Sequence, residues 1–185
     1  TPLSIVKQMN DACDTNRVTK NNWQEYVALL KLEITCGEAP YIVSRYDPVS
    51  DKQELLPLAE RVGFLDNKLS VVSKYCNKKE EWIKWSKIAF QSSYGYEWQG
   101  DSLLIARENL LYTFIDYYQA KFKETPSTKF QKEIAEIIAW NIFQMDGLKY
   151  VIPMSCKTET ITTKRIETLF GDKDDRIVEK PCAGC

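Results

Sequence analysis

Apolar residues recur at helical spacing along most of the chain. Leu3, Val6 and Met9 share one helical face, and Pro2 in front of them suits a helix start because its missing N–H costs nothing there. The same spacing predicts further helices over residues 23–30, 64–76, 79–91, 100–121 and 129–139.

Three shorter apolar runs between these helices predict strands. They cover residues 31–37, 93–98 and 140–147, and Gly37 ends the first of them. Strands that alternate with helices along a chain usually pair in parallel. We therefore expect an α/β fold in which a parallel sheet is flanked by helices.

The regular pattern fades after Pro153, where threonines and mixed charges replace the apolar periodicity. This change predicts one domain over residues 1–153 and an extended or partly disordered tail over 154–185. Within the domain, residues 47–57 contain two prolines and several polar residues, which is typical of an exposed loop.

Each predicted strand ends near an acidic residue: Glu33, Glu97 and Asp146. In an open parallel sheet, ligands bind outside the carboxyl ends of the strands. Three carboxylates there suit a nucleoside, with Glu97 accepting the ribose hydroxyls and Asp146 the adenine amino group, while Gly37 permits close backbone approach. The alternative is that these acids only begin exposed loops.

Composition narrows the chemistry that this chain can perform. Its 185 residues include no histidine, which excludes Ser-His-Asp and Cys-His catalysis and His-ligated zinc. The 25 basic and 26 acidic residues nearly cancel, so the chain has no overall positive field to hold a phosphate backbone. We expect DNA contact only through a complex.

The six cysteines fit a reducing compartment, because a chain this large and apolar does not need disulfide bridges. No signal peptide and no run of about 18 apolar residues occurs, so we expect a cytoplasmic protein without membrane contact. Cys182 and Cys185 lack a second pair of ligands, so no metal site is expected; the alternative is a zinc ion shared between molecules. The tryptophans at 82, 85, 98 and 140 are expected in the core rather than stacked on bases.

Four segments resemble the modification subunits of bacterial restriction–modification systems, which are S-adenosylmethionine-dependent DNA methyltransferases acting on adenine. Residues 1–9 are similar to the segment that packs on the methionine part of the cofactor, and residues 32–41 to its glycine-containing loop. Residues 94–98, with the helix after them, resemble the ribose-binding strand, and residues 141–147 the adenine-binding strand end.

The resemblance covers about residues 1 to 150 and implies an incomplete Rossmann-like methyltransferase fold that binds S-adenosylmethionine. The cofactor-binding residues that it implies are Thr1, Pro2, Glu33, Gly37, Glu97, Trp98, Asp146 and Gly147.

The departures from this family concern catalysis. Its Asp/Asn-Pro-Pro-aromatic loop, which holds the flipped adenine, occurs nowhere in the sequence, and the cofactor loop lacks its second glycine. We therefore expect no catalytic residue and interpret the chain as half of a methyltransferase. Two functions stay open: the cofactor-binding part of such an enzyme, or an inactive protein-interaction module that serves as an accessory subunit or decoy. Both imply a protein partner.

Overall fold

A small parallel sheet organises the first 153 residues. The computed structural model describes residues 1–14, 18–47, 49 and 54–153, and the backbone of residues 159–163 and 176–180. Strands β1 (Lys31–Glu33), β2 (Ser93–Glu97) and β3 (Ile142–Gln144) are all parallel and lie in the order β1-β2-β3. The expected α/β fold with a parallel sheet and flanking helices is confirmed.

Six helices accompany this sheet, close to where the apolar spacing predicts them. Their bounds are Leu3–Cys13 (α1), Trp23–Ala28 (α2), Phe64–Tyr75 (α3), Lys79–Gln91 (α4), Gly100–Phe122 (α5) and Thr128–Asn141 (α6), with a short 3-10 turn at Leu58–Glu60. Helices α3 and α4 connect β1 to β2, and α5 and α6 connect β2 to β3. Each parallel connection is therefore helical, as parallel pairing requires.

The core lies where α3, α4, α5 and α6 pack on one another and on the sheet. Trp82 is fully buried, and its ring meets those of Tyr118 and Phe122 edge to face, with centroids 5.6 Å apart in both pairs. Such aromatic pairs stabilise a core beyond the area that they bury.

Two buried polar side chains fasten the amino-terminal end of the sheet. The ammonium of Lys68 lies 2.6 Å from the carbonyl oxygen of Leu29 and 2.7 Å from the hydroxyl of Ser92. The amide of Asn141 donates to the carbonyl oxygens of Phe90 and Ser93, at 2.9 and 3.2 Å. Together they satisfy backbone carbonyl groups at the starts of β1 and β2, and Asn141 itself directly precedes β3.

Two boundaries differ from the sequence prediction. Strand β1 ends at Glu33 rather than Gly37, because the backbone turns there and both Gly37 and Ala39 adopt positive φ, of 54° and 65°. Helix α6 continues through Trp140, which the apolar pattern placed in the strand that follows.

The prediction of four core tryptophans is right for Trp82, which is buried, and for Trp85, which packs against the core. It is wrong for Trp140 and Trp98, which are 80% and 39% exposed. The buried stripe of α6 runs through positions 134, 138 and 141, so position 140 points away from the core.

In the predicted tail, strands β4 (Glu159–Thr163) and β5 (Arg176–Lys180) pair antiparallel, with Ile161 opposite Val178. The sequence pattern did not predict them. Cys182 and Cys185 lie outside the described residues, as do parts of the predicted loop at 47–57. Within the described part of that loop, Leu55 forms an antiparallel bridge with Tyr46.

Candidate functional site

The three predicted acids lie at the same edge of the sheet, because all three strands run in parallel. Glu33 and Glu97 are the last residues of β1 and β2, and Asp146 follows the end of β3 by two residues. This is the carboxyl-end edge at which ligands bind in open α/β sheets.

Glu97 holds the loop that follows β1. One carboxylate oxygen accepts a hydrogen bond of 2.7 Å from the Gly37 amide, and the other accepts one of 2.8 Å from the Gln99 amide. Each oxygen retains acceptor capacity, so two further donors can still bind. The Gly37 amide is occupied by this contact, and the positive φ of Gly37 lets the chain turn there.

Asp146 also organises its own loop. Its Oδ1 accepts hydrogen bonds from the amides of Leu148 and Lys149, at 2.9 and 3.0 Å. These two bonds, the Lys149 amide first, hold the pKa of Asp146 below its usual value. Asp146 is half-buried and lines neither the cavity nor the groove described below. Its carboxylate thus caps the turn that begins the loop after β3.

The loop after Asp146 crosses the sheet edge to reach β1. Gly147 packs so closely on Ile34 that a Cβ at position 147 would overlap the Ile34 side chain and carbonyl oxygen. Since β2 lies between β1 and β3, this contact carries the chain over the carboxyl end of β2. Glycine is needed there for close approach.

A cavity of about 340 Å³ opens beside this edge, within the size range of small-molecule sites. Thr1, Glu33 and Gly37 line it, so three of the eight predicted residues share one cavity. The other five do not line it: Pro2, Glu97, Trp98, Asp146 and Gly147.

Pro2 and Trp98 have visible backbone roles instead. The carbonyl oxygen of Pro2 accepts the amides of Ile5 and Val6 and so begins α1. The carbonyl oxygen of Trp98 accepts a hydrogen bond of 3.0 Å from the Gln144 side chain, which ties the end of β2 to β3.

Glu33 is the unusual group in the cavity. Its Oε2 is buried and has no hydrogen-bond partner in the described part of the chain. Burial, and secondarily the charge of Glu97, raises the pKa of Glu33 to about 8. The carboxyl is therefore largely neutral at pH 7, and a cation bound beside it would favour its deprotonation.

The opposite wall is polar and comes from residues that sequence reasoning missed. The Tyr46 hydroxyl donates to the Glu38 carboxylate, and the Asn109 amide donates to the Glu38 carbonyl oxygen at 3.2 Å. Asn109 is buried on the inner face of α5. A polar residue within that apolar stripe is a sequence feature that could have marked it as a functional candidate.

This wall is anchored from behind by Ser44 and Asp66. The Ser44 amide donates to Asp66 Oδ2 at 2.8 Å, and the Ser44 hydroxyl accepts the Val62 and Gly63 amides at 2.7 and 3.1 Å. Burial raises the pKa of Asp66 to about 6, although these contacts oppose the shift. Residues 41–46 are therefore held against α3 independently of any ligand.

A second, larger concavity of about 610 Å³ runs along the outer side of β1, and we call it the β1 groove. It shares Glu33, Thr35 and Tyr41 with the cavity. Its other lining residues are mainly apolar: Met9, Asn10, Cys13, Leu29, Leu30, Lys31, Leu32, Ile34 and Phe64.

Among the described residues, no group of three or more Cys, Asp or Glu is placed to bind a metal ion. None of the described helices combines the length and the apolar character needed to cross a bilayer.

No protein-family model, curated protein or solved structure matches this chain.

Proposed function

We propose that this chain binds S-adenosylmethionine at the carboxyl edge of its parallel sheet, as the cofactor-binding part of a DNA adenine methyltransferase from a restriction–modification system. The observation that carries the proposal is Glu33, which lines a cavity beside the Glu97-held loop and has a buried carboxyl oxygen without a hydrogen-bond partner. The ligand is the one that the resemblance of residues 1 to 150 to the modification subunits implies.

The residues present fit this ligand at two points. An orphaned carboxyl in a small cavity suits a cationic group, and S-adenosylmethionine carries an ammonium and a sulfonium. The remaining acceptor positions of Glu97 suit paired ribose hydroxyls, since its two amide contacts orient the carboxylate.

We assign the remaining contacts by position. Thr1 lines the cavity and bounds the methionine end, while Pro2 begins the helix behind it. In this proposal the adenine amino group donates to the Asp146 carboxylate, whose Oδ1 already accepts the Leu148 amide, and Gly147 holds the Asp146 loop against Ile34.

When bound, S-adenosylmethionine supplies an activated methyl group on a sulfonium. The residues of this chain bind and orient it, and none is proposed as a general base or nucleophile. Methyl transfer therefore requires a Pro-Pro-aromatic loop from outside these 185 residues, on a partner chain or on a further part of the same protein, and DNA is reached through the resulting complex.

Calorimetric titration of the purified chain with S-adenosylmethionine and S-adenosylhomocysteine tests this proposal. We expect micromolar binding, and Glu33→Gln is expected to weaken it by about tenfold or more, as loss of a charged contact does. Glu108→Gln is the matched control, because Glu108 is exposed on α5 outside the cavity. Absence of binding up to millimolar ligand, from a folded protein, would refute the proposal.

The second candidate is an inactive protein-interaction module, an accessory subunit or decoy acting on a restriction–modification complex. Three large side chains favour it: Trp140, Tyr150 and Leu148 are 80%, 78% and 74% exposed. Exposed aromatic residues are typical of interface anchors. Failure of cofactor binding together with Trp140-dependent co-elution with a modification subunit would support this function instead.

A further inference from the structure

We propose that strand β1 pairs antiparallel with β1 of a second copy of this chain, about a two-fold axis at Leu32. Two three-stranded parallel sheets then join into one sheet of six strands. This inference goes beyond the proposed function, because it concerns assembly and holds whether or not the chain binds S-adenosylmethionine.

Strand β1 has an open edge within the described residues. It pairs only with β2, and its Lys31 amide donates to the Ser92 carbonyl oxygen at 3.0 Å. Backbone groups of successive residues alternate in direction, so the N–H and C=O of Leu32 point away from β2. An open edge of this kind accepts another strand.

The opposite edge of the sheet is closed by a side chain. In β3, the Met145 amide donates to the Glu97 carbonyl oxygen of β2, and by the same alternation the Ile142 carbonyl points outward. That carbonyl oxygen accepts hydrogen bonds from Arg107 Nε and Nη2, at 3.0 and 2.8 Å. The guanidinium occupies the place of a further strand, so strand addition is directed to β1.

The charges of β1 make this strand complementary to itself. In antiparallel pairing about Leu32, Lys31 of each copy lies opposite Glu33 of the other, so opposite charges meet twice. A shift of two residues is the smallest that keeps the same backbone groups at the edge. It places Lys31 opposite Lys31, or Glu33 opposite Glu33, and like charges directly opposite are destabilising. The charges therefore select the register centred on Leu32.

The second copy also brings a cation to a carboxyl that lacks one. Glu33 lines both the cavity and the β1 groove, and its Oε2 has no hydrogen-bond partner among the described residues. Lys31 and Glu33 point to the same face of the sheet, because side chains alternate along a strand. The ion pair of Lys31 with Asp14 keeps its ammonium on that face.

Apolar side chains match on the other face of β1. Leu30, Leu32 and Ile34 are 71%, 47% and 42% exposed, and all three line the β1 groove. In the same register, Leu30 lies opposite Ile34 of the second copy, and Leu32 lies beside its own counterpart. An uncovered apolar edge strand promotes aggregation, whereas this pairing covers all three side chains.

Sedimentation of the full chain over a range of protein concentrations tests the assembly. We expect a monomer–dimer equilibrium, and Leu32→Asp should weaken the dimer by about tenfold or more, because it places two carboxylates at the axis. Leu104→Asp, at a 60% exposed position of α5, should leave the dissociation constant unchanged. A parent chain that stays monomeric up to about 1 mM would overturn the proposal.

A cysteine cross-link tests the register without a destabilising charge. Leu32→Cys places two thiols on directly opposite residues, whose Cα atoms lie about 5.5 Å apart in such a pair, within the span of a disulfide. Leu30→Cys is the matched control, because the two copies of residue 30 lie about 14 Å apart along the strands. Both variants keep the same native cysteines.

We expect oxidation to give a covalent dimer through position 32 and not through position 30. Equal yields of covalent dimer from the two variants would overturn the proposed pairing.

Discussion

At the scale of single residues, Glu33 makes the stability of this protein depend on pH. Its pKa rises from 4.5 to about 8 on folding, so the folded chain holds an extra proton between these pH values. Stability is therefore full below about pH 4.5 and is lost as the pH rises toward 8, by at most about 1.4 kcal/mol per pH unit.

Glu33→Gln removes this titration. We expect the variant and the parent to be equally stable near pH 5, and the variant to be more stable near pH 8. Urea unfolding of both proteins at the two pH values measures the difference, in which contributions from all other groups cancel. Parallel pH profiles for the two proteins would show that Glu33 is already ionised at neutral pH.

Substitution of Lys68, in contrast, should lower the stability of the protein. Lys68→Met should lower the free energy of unfolding by about 2 to 4 kcal/mol, because it leaves the Leu29 carbonyl and the Ser92 hydroxyl without their buried donor. Lys74→Met in the same helix should change it by less than about 0.5 kcal/mol, since Lys74 is exposed. Chemical denaturation compares the two.

At the scale of elements, the loop after β3 depends on a glycine. Gly147→Ala should displace this loop from β1 and weaken S-adenosylmethionine binding by about tenfold, because a Cβ would overlap Ile34. Gly100→Ala is the control, because the added Cβ would lie 3.8 Å from its nearest neighbour, the side-chain nitrogen of Gln144. Alanine also favours the helix that begins there, α5. Calorimetry measures the S-adenosylmethionine affinity of both variants. Equal affinities would show that the Gly147–Ile34 contact does not support binding.

The elements also show which parts of the fold a sequence reveals. Helices α3 to α6 were predictable because each buries an apolar face with a helical period, and the three parallel strands because short apolar runs separate those helices. The exposure of Trp140 was missed, since a tryptophan next to a buried stripe looks like part of it. Strands β4 and β5 were missed because alternating threonines and charges carry little apolar signal.

The candidate site was predictable only in part, because some of its residues are far apart in the sequence and meet only through tertiary packing. Glu33, Glu97 and Asp146 follow strands, so their shared edge follows from parallel pairing. Tyr46 and Asn109 belong to a loop and a helix whose meeting depends on tertiary packing. A polar residue in the apolar stripe of α5 marks Asn109 as unusual, but no local pattern predicts that it lies beside Tyr46.

At the scale of the whole molecule, two thiols report whether residues 1–153 unfold as one unit. Cys36 and Cys76 are buried in different parts of the domain, and burial raises their pKa values to about 12 and 11. We expect both to resist alkylation in the folded protein, while exposed Cys13 reacts.

Pulsed alkylation along a urea gradient, read by peptide mapping, should show Cys36 and Cys76 becoming reactive at the same urea concentration. Cys13 is the internal control for reagent activity. Two separate transitions would instead divide the first 153 residues into independently unfolding parts.

Lys68 and Asn141 fasten the sheet at its amino-terminal end, opposite the edge where the three acids lie. Substitutions at the acidic edge therefore leave the hydrogen bonds at the other end of the sheet in place. In evolutionary terms, such a protein can lose or exchange residues at that edge and still fold, so a lineage can abandon one chemistry without first losing its structure.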